Sequence, residues 1–394
     1  MKEDAIAYRV PPEPHVYPSG VDRKSGIALS GGGSHGAFAA GIVYGFFSRL
    51  WSTEQRLPRL ALVTGTSTGS LVGGLLTQAY GLYFEGKDPA DELERMRTVY
   101  TRTTQNQVGV EPKCGILGVG WNLLRKHGVL DVAPLRKLID QCYDHERMQS
   151  AAEHGLVYVC NFIDMVQGQA RHYSTKTQAS AKPRSREEMI DAIFASCAQP
   201  VVMTPAYVRK RWAVDGGVRE VIPFREGMRA DCTSLLAVAL NEPTVDRDAE
   251  MVKRFESDVL ARIKRGLAVM NDEVARDDER LANMSAYINR ARDELLRSGV
   301  AAEVVDRALP AEVLPSDIDP AEPGDQDPNE DGLYERSELR EMLVCRFSST
   351  KLPEQEKFIP AEMQRLFDWG TKLADQHFET IKGLLAPNGY FTRS

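Results

Sequence analysis

Residues 60–76 constrain the fold more than any other part of this 394-residue chain. They read Leu60-Ala61-Leu62-Val63-Thr64, then Gly65-Thr66-Ser67-Thr68-Gly69, then Ser70-Leu71-Val72-Gly73-Gly74-Leu75-Leu76. An apolar run of strand length, five small residues and a helix-length apolar stretch predict a strand, a tight turn and a helix, with Ser67 at the apex. In G-x-S-x-G the glycines admit neighbouring backbone where a Cβ would clash, and the serine takes a strained conformation. Its hydroxyl then stands at a helix N-terminus, where peptide dipoles favour developing negative charge. The same five residues also fit a plain structural turn, because glycine and serine are common turn formers.

Gly31-Gly32-Gly33-Ser34-His35-Gly36 occupies a similar context, after a strand at 26–30 and before a helix running to about Leu50. Two chemistries use this shape. Unshielded backbone N–H groups at Gly31, Gly32, Gly33, Ser34 and Gly36 suit an oxyanion hole. Gly31, Gly33 and Gly36 also satisfy the dinucleotide-binding pattern G-x-G-x-x-G, which expects an acidic residue about 20 positions on, at the end of the next strand. Glu54 lies at that distance but precedes the strand. Serine chemistry also needs a base, and Asp215-Gly216-Gly217 closes a strand at 208–214 with a turn that presents a carboxylate. A lone D-G-G is also an ordinary β-turn.

Further apolar runs at 155–162, 234–240 and 342–347 predict strands, with a hairpin return at 169–173. Helical patterns cover 89–105, 131–149 (capped by Asp131), 185–198 and 360–385. Strands alternating with helices imply a mostly parallel α/β sheet. Residues 1–24 are expected to form a flexible tail, and 387–394 a C-terminal tail. Residues 248–299 are charged and helical in pattern, expected to present a solvated face or serve homo-oligomerisation. Residues 316–331 hold seven acidic residues, three prolines and no cation, the composition of a flexible loop.

The net charge of −7 gives no basic face for nucleic acid. The start of the chain is not patterned as a signal peptide, and the apolar stretch 37–47 is too short for a bilayer span, which takes roughly 20 residues. The six cysteines (114, 142, 160, 197, 232 and 345) are scattered and expected to be reduced and mostly buried, as in a cytoplasmic protein. The histidines show no metal-ligand spacing, so neither metal nor cofactor is expected.

Taken together and in this order, the glycine loop, the G-x-S-x-G turn and D-G-G resemble the motifs of the patatin-like phospholipases. Ala195-Ser196-Cys197-Ala198-Gln199-Pro200 resembles the helix end that precedes their D-G-G hairpin, and Phe358 to Gly370 resembles their closing helix. The resemblance spans roughly residues 25–386. It implies one three-layer α/β/α domain with a mostly parallel central sheet and an added helical C-terminal region. It further implies an acyl hydrolase in which Ser67 attacks an ester and Asp215 takes its proton, with a lipid substrate and peripheral membrane contact. The apolar segment 115–126, which ends in Arg125-Lys126, is a candidate for that contact.

The family's Arg or Lys before the last loop glycine is His35 here. It either lends a pH-dependent charge to the loop or only packs the helix start. Two alternatives stand beside the dyad. One is a Ser67–Asp215–His377 triad, since His377 is the sole histidine after Asp215 and follows the chain order of α/β-hydrolases. The other is a membrane-damaging effector held inactive until a ligand binds.

Overall fold

The computed structural model describes residues 4–18, 20–109, 132–176, 185–200, 202–241, 259–309, 337–348, 352, 355 and 357–392. The proposed interfacial segment 115–126, the acidic loop 316–331, residues 248–258, Cys114 and the Asp131 cap lie outside them.

Among the described residues, nine strands form one sheet: β1 (Ala5–Val10), β2 (Ser25–Leu29), β3 (Leu60–Thr66), β4 (Val157–Asp164), β5 (Ala170–Ser174), β6 (Ala206–Val208), β7 (Arg211–Asp215), β8 (Ser234–Ala239) and β9 (Glu341–Phe347). Their order is β1-β9-β8-β2-β3-β4-β7-β6, with β5 also paired to β4. The centre, β9-β8-β2-β3-β4, is parallel, and the flanking pairs are antiparallel.

Side chains divide between the two faces with the period of two that a strand imposes. Ile27, Leu29, Val63, Leu236, Val238, Leu343 and Cys345 enter one core with helices α1 (Gly36–Glu54), α2 (Thr68–Phe84) and Pro360–Gln376. Ala28, Leu62, Leu235, Ala237, Met342 and Val344 enter a second core under the Phe224–Arg229 helix and the long helix Val259–Arg297. The fold is therefore α/β/α with an added helical C-terminal region. On the first face, α1 and the closing helix touch backbone to backbone. A Cβ on Gly41 would lie 2.1 Å from the Phe367 carbonyl oxygen, and one on Gly370 would lie 2.2 Å from that of Phe38.

Four expectations are corrected. Residues 5–10 are not flexible tail but the edge strand β1, antiparallel to β9. The 131–149 helix is two, Ala133–Cys142 and His145–Glu153. The break follows from Asp144, whose side chain caps the N–H groups of Glu146 and Arg147. The strand at 208–214 is a hairpin, turning at Arg209 and Lys210 with φ of +47° and +64°. The charged helix is not wholly solvated either: Ala275, Ala282 and Ala286 are buried against the sheet, at a spacing that keeps one face inward.

Candidate active site

Ser67 follows β3 directly and serves as the N-cap of α2, with φ +51° and ψ −125°. That conformation is costly for a residue with a side chain, and it persists only where the surroundings enforce it. They do so from three sides. A Cβ on Gly65 would come within 2.3 Å of the Gly69 backbone, and one on Gly69 within 2.1 Å of the Leu29 carbonyl oxygen. Both glycines are therefore demanded by close backbone approach. The Ser67 N–H donates to Ser196 Oγ at 2.9 Å, and the Ser67 carbonyl accepts from Ser70 N–H and Oγ.

Asp215 ends β7, paired with Phe162 of β4. Its N–H donates to the Ala198 carbonyl at 2.9 Å, and its Oδ1 accepts from Gly217 N–H at 2.8 Å. The Ser67 side chain lies close enough to favour the ionised carboxylate. Gly216 is packed against β4, where a Cβ would meet the Asn161 carbonyl oxygen at 2.7 Å. Burial pushes the Asp215 carboxyl up to about 6, against the lowering effect of the Gly217 N–H hydrogen bond and of the Ser67 side chain beside it. Cys197, on the same helix end as Ser196, is buried, and its thiol is raised well above its ordinary value by burial and by Asp215.

The glycine loop lies against the serine: a Cβ on Gly31 would sit 3.2 Å from Ser67 Cβ. Its N–H groups differ in what they bind. Gly31 N–H donates to the Val221 carbonyl, Ser34 N–H to the Gln355 carbonyl, His35 N–H to the Gly32 carbonyl, and Gly36 N–H to the carbonyls of Gly33 and Ser34. Gly32 and Gly33 N–H have no acceptor among the described residues. Gly36 must lack a side chain because a Cβ would fall 1.9 Å from Thr68 Oγ1, so the starts of α1 and α2 are pressed together. Two helix N-termini thus converge beside Ser67, a favourable place for negative charge.

His35 is fully buried, its ring edge-on to Phe347 with centroids 5.3 Å apart, a packing position. His377 is not gathered into this site. It caps the far end of the closing helix, and its neighbour Phe378 packs on Phe46 and under Arg49. Arg49 is about 20 Å along α1 from Gly36 at 1.5 Å per residue.

Sequence reasoning missed Ser196 as a partner of Ser67, although its motif was in view. It also missed Asp278 of the long helix, whose Oδ2 accepts from Val221 and Ile222 N–H at 2.9 and 3.1 Å. Val221 in turn holds Gly31, and the preceding Glu220 carbonyl accepts from Thr66 Oγ1 at 3.1 Å. Nothing in a charged helix distinguishes one aspartate from the others. Among the described residues, no group of three His, Cys, Asp or Glu side chains converges as metal ligands.

Ser196 is fully buried, so Ser196→Ala strands the Ser67 N–H. The expected cost is about 1–3 kcal/mol of stability and roughly tenfold in turnover as the serine drifts. Urea unfolding and kcat measured on the same preparation check both.

A family model described as Patatin-like phospholipase matches residues 27–228. No curated protein matches the chain. One similar solved structure is that of VipD from Legionella pneumophila. It has 14% identity and a TM-score of 0.37, with 91% of this chain and 67% of that chain covered.

Proposed function

The chain belongs to the patatin-like phospholipase family, and from that premise we propose that it hydrolyses carboxylic esters of lipids through a Ser67–Asp215 dyad. The observation that carries the reading is the Ser67 side chain set beside a buried Asp215, with the Gly32 and Gly33 N–H groups nearby that have no acceptor among the described residues.

In this reading Ser67 Oγ attacks the ester carbonyl while Asp215 takes its proton. The carbonyl oxygen becomes an oxyanion held by Gly32 and Gly33 N–H, at the positive ends of α1 and α2. Collapse of the tetrahedral adduct breaks the C–O bond, and Asp215 returns the proton to the leaving alcohol. Water, deprotonated by the same carboxylate, then releases the acyl group from Ser67. An ordinary carboxylate is a weak base towards an alcohol. Burial makes Asp215 a stronger one, and the site stabilises the anion it helps to form.

Asp215 must be ionised to act. Its carboxyl is raised to about 6, so activity is fully present above that value and is lost as pH falls through it. We expect kcat/KM on a soluble ester to show an acid limb inflecting near pH 6. An inflection near pH 4, or none, would count against Asp215 as the base. A screen of acyl chain lengths and head groups on the wild type beside Ser67→Ala tests both the activity and the substrate class. Among the described residues, no helix is long and apolar enough to cross a membrane.

A further inference from the structure

Five large apolar side chains stand in solvent near the strand that carries Asp215: Met165, Val166, Tyr207, Trp212 and Val218. Met165, Tyr207 and Trp212 are about half exposed, and Val166 is 80% exposed. Single exposed apolar residues need no explanation, but grouped ones do. Tyr207 and Trp212 face each other across the β6–β7 hairpin, with ring centroids 5.2 Å apart. Met165 N–H donates to the Trp212 carbonyl at 2.8 Å. Arg219, next to Val218, donates to the Gly168 carbonyl of the β4–β5 turn at 2.7 Å.

Strand register fixes where this group points. Asp164, the last residue of β4, pairs with Ala213 of the antiparallel β7. Trp212, Arg211 and the Arg209-Lys210 turn therefore project past the C-terminal end of the sheet, the end at which Ser67 stands. At about 3.3 Å per residue, Trp212 reaches roughly 10 Å beyond Asp215.

The charge there opposes that of the whole. Arg209, Lys210, Arg211 and Arg219 stand here against two carboxylates, Asp164 and Glu188, which pair with Arg211 at 3.0 Å and with Arg209 at 3.7 Å, an excess of positive charge in a chain of net charge −7. Aromatic rings with polar tips, flanked by long cationic side chains, match the boundary between acyl chains and anionic head groups.

We propose that the β4–β5 and β6–β7 turns form a docking surface for an anionic lipid bilayer, which sets the mouth of the Ser67 site against the membrane. The inference rests on the lipid-ester reading of that site. Tyr207 and Trp212 seat at head-group depth, and Arg209 and Lys210 meet the phosphates.

The test uses full-length Ser67→Ala protein, which does not consume lipid, and vesicles of phosphatidylcholine with or without phosphatidylglycerol. Sedimentation should show binding about tenfold or more tighter to the anionic vesicles. Trp212→Ser and Lys210→Glu should each weaken it about tenfold, and salt should weaken it further. A blue shift of tryptophan emission on binding should vanish in Trp212→Ser. With Ser67 retained, the same two substitutions should leave hydrolysis of a monomeric short-chain ester within about twofold, which shows that the site is intact. The docking surface is overturned if the two variants bind anionic vesicles like the parent, or if the parent binds neither vesicle. Vesicle binding that needs the hairpin, in a wild type that hydrolyses no ester, would overturn the hydrolase reading and leave the surface standing.

Discussion

Replacing Asp215 with asparagine is expected to leave the chain folded and to lower kcat/KM by about 10³-fold, within the range a positioned general base supplies. Asparagine keeps the shape and an oxygen for Gly217 N–H, whose bond to Oδ1 measures 2.8 Å. It removes only the capacity to take the Ser67 proton. Ser67→Ala should cost roughly 10⁵-fold or more, and the double variant should be no worse than Ser67→Ala, because the pair acts as one unit. Stability should move the other way. A carboxyl raised from 3.8 to about 6 holds its proton more tightly folded than unfolded. Its ionisation therefore weakens the fold increasingly from about pH 4 to 6, and fully above that. At pH 8 Asp215→Asn should be more stable than the wild type, by up to roughly 3 kcal/mol. Activity lost with stability gained is the signature of a group kept for chemistry. An asparagine variant with near-wild-type turnover would remove Asp215 from the mechanism.

The elements that hold Ser67 were legible because each is local. β2, β3 and their helices are apolar runs punctuated by glycine, and the glycines carry a steric meaning that survives into three dimensions. What was not legible depends on residues far apart in the chain. β1 has a modest apolar pattern and runs into prolines, and its partner β9 lies more than 330 residues later. The β6–β7 hairpin turns on Arg209 and Lys210, which carry none of the glycine or asparagine signal such turns favour. Its register with β4, not its composition, makes it project beyond the site. Asp278 is invisible for the same reason: its importance comes from the Val221 and Ile222 N–H groups it meets across the fold. The glycine loop was legible as a donor array, but which of its donors remain open depends on Val221 and Gln355.

The largest effect on the fold is expected from a single methyl group at Gly69. Its Cβ would fall 2.1 Å from the Leu29 carbonyl oxygen and 2.7 Å from that of Ser30. Both belong to backbone that cannot retreat. Leu29 ends β2, which is held on one side by Val238 of β8 and on the other by Gly65 of β3. The helix cannot retreat either, because its start is pressed on Gly36 through Thr68. Gly69→Ala must therefore break strand pairing or push α2 outwards, at a cost of 3 kcal/mol or more on the scale of about 1–3 kcal/mol for ordinary overpacking. Either way Ser67 leaves the reach of Asp215, so activity disappears with the elbow. The comparison is Gly383→Ala, in the exposed interior of the Phe378–Leu385 helix, where a Cβ meets nothing within 4 Å. There the same methyl should stabilise the chain by about 0.5–1 kcal/mol and leave turnover unchanged. Denaturant midpoints of the two variants should thus shift in opposite directions. Equal midpoints would mean that close backbone approach at Gly69 does not set the geometry of the serine turn.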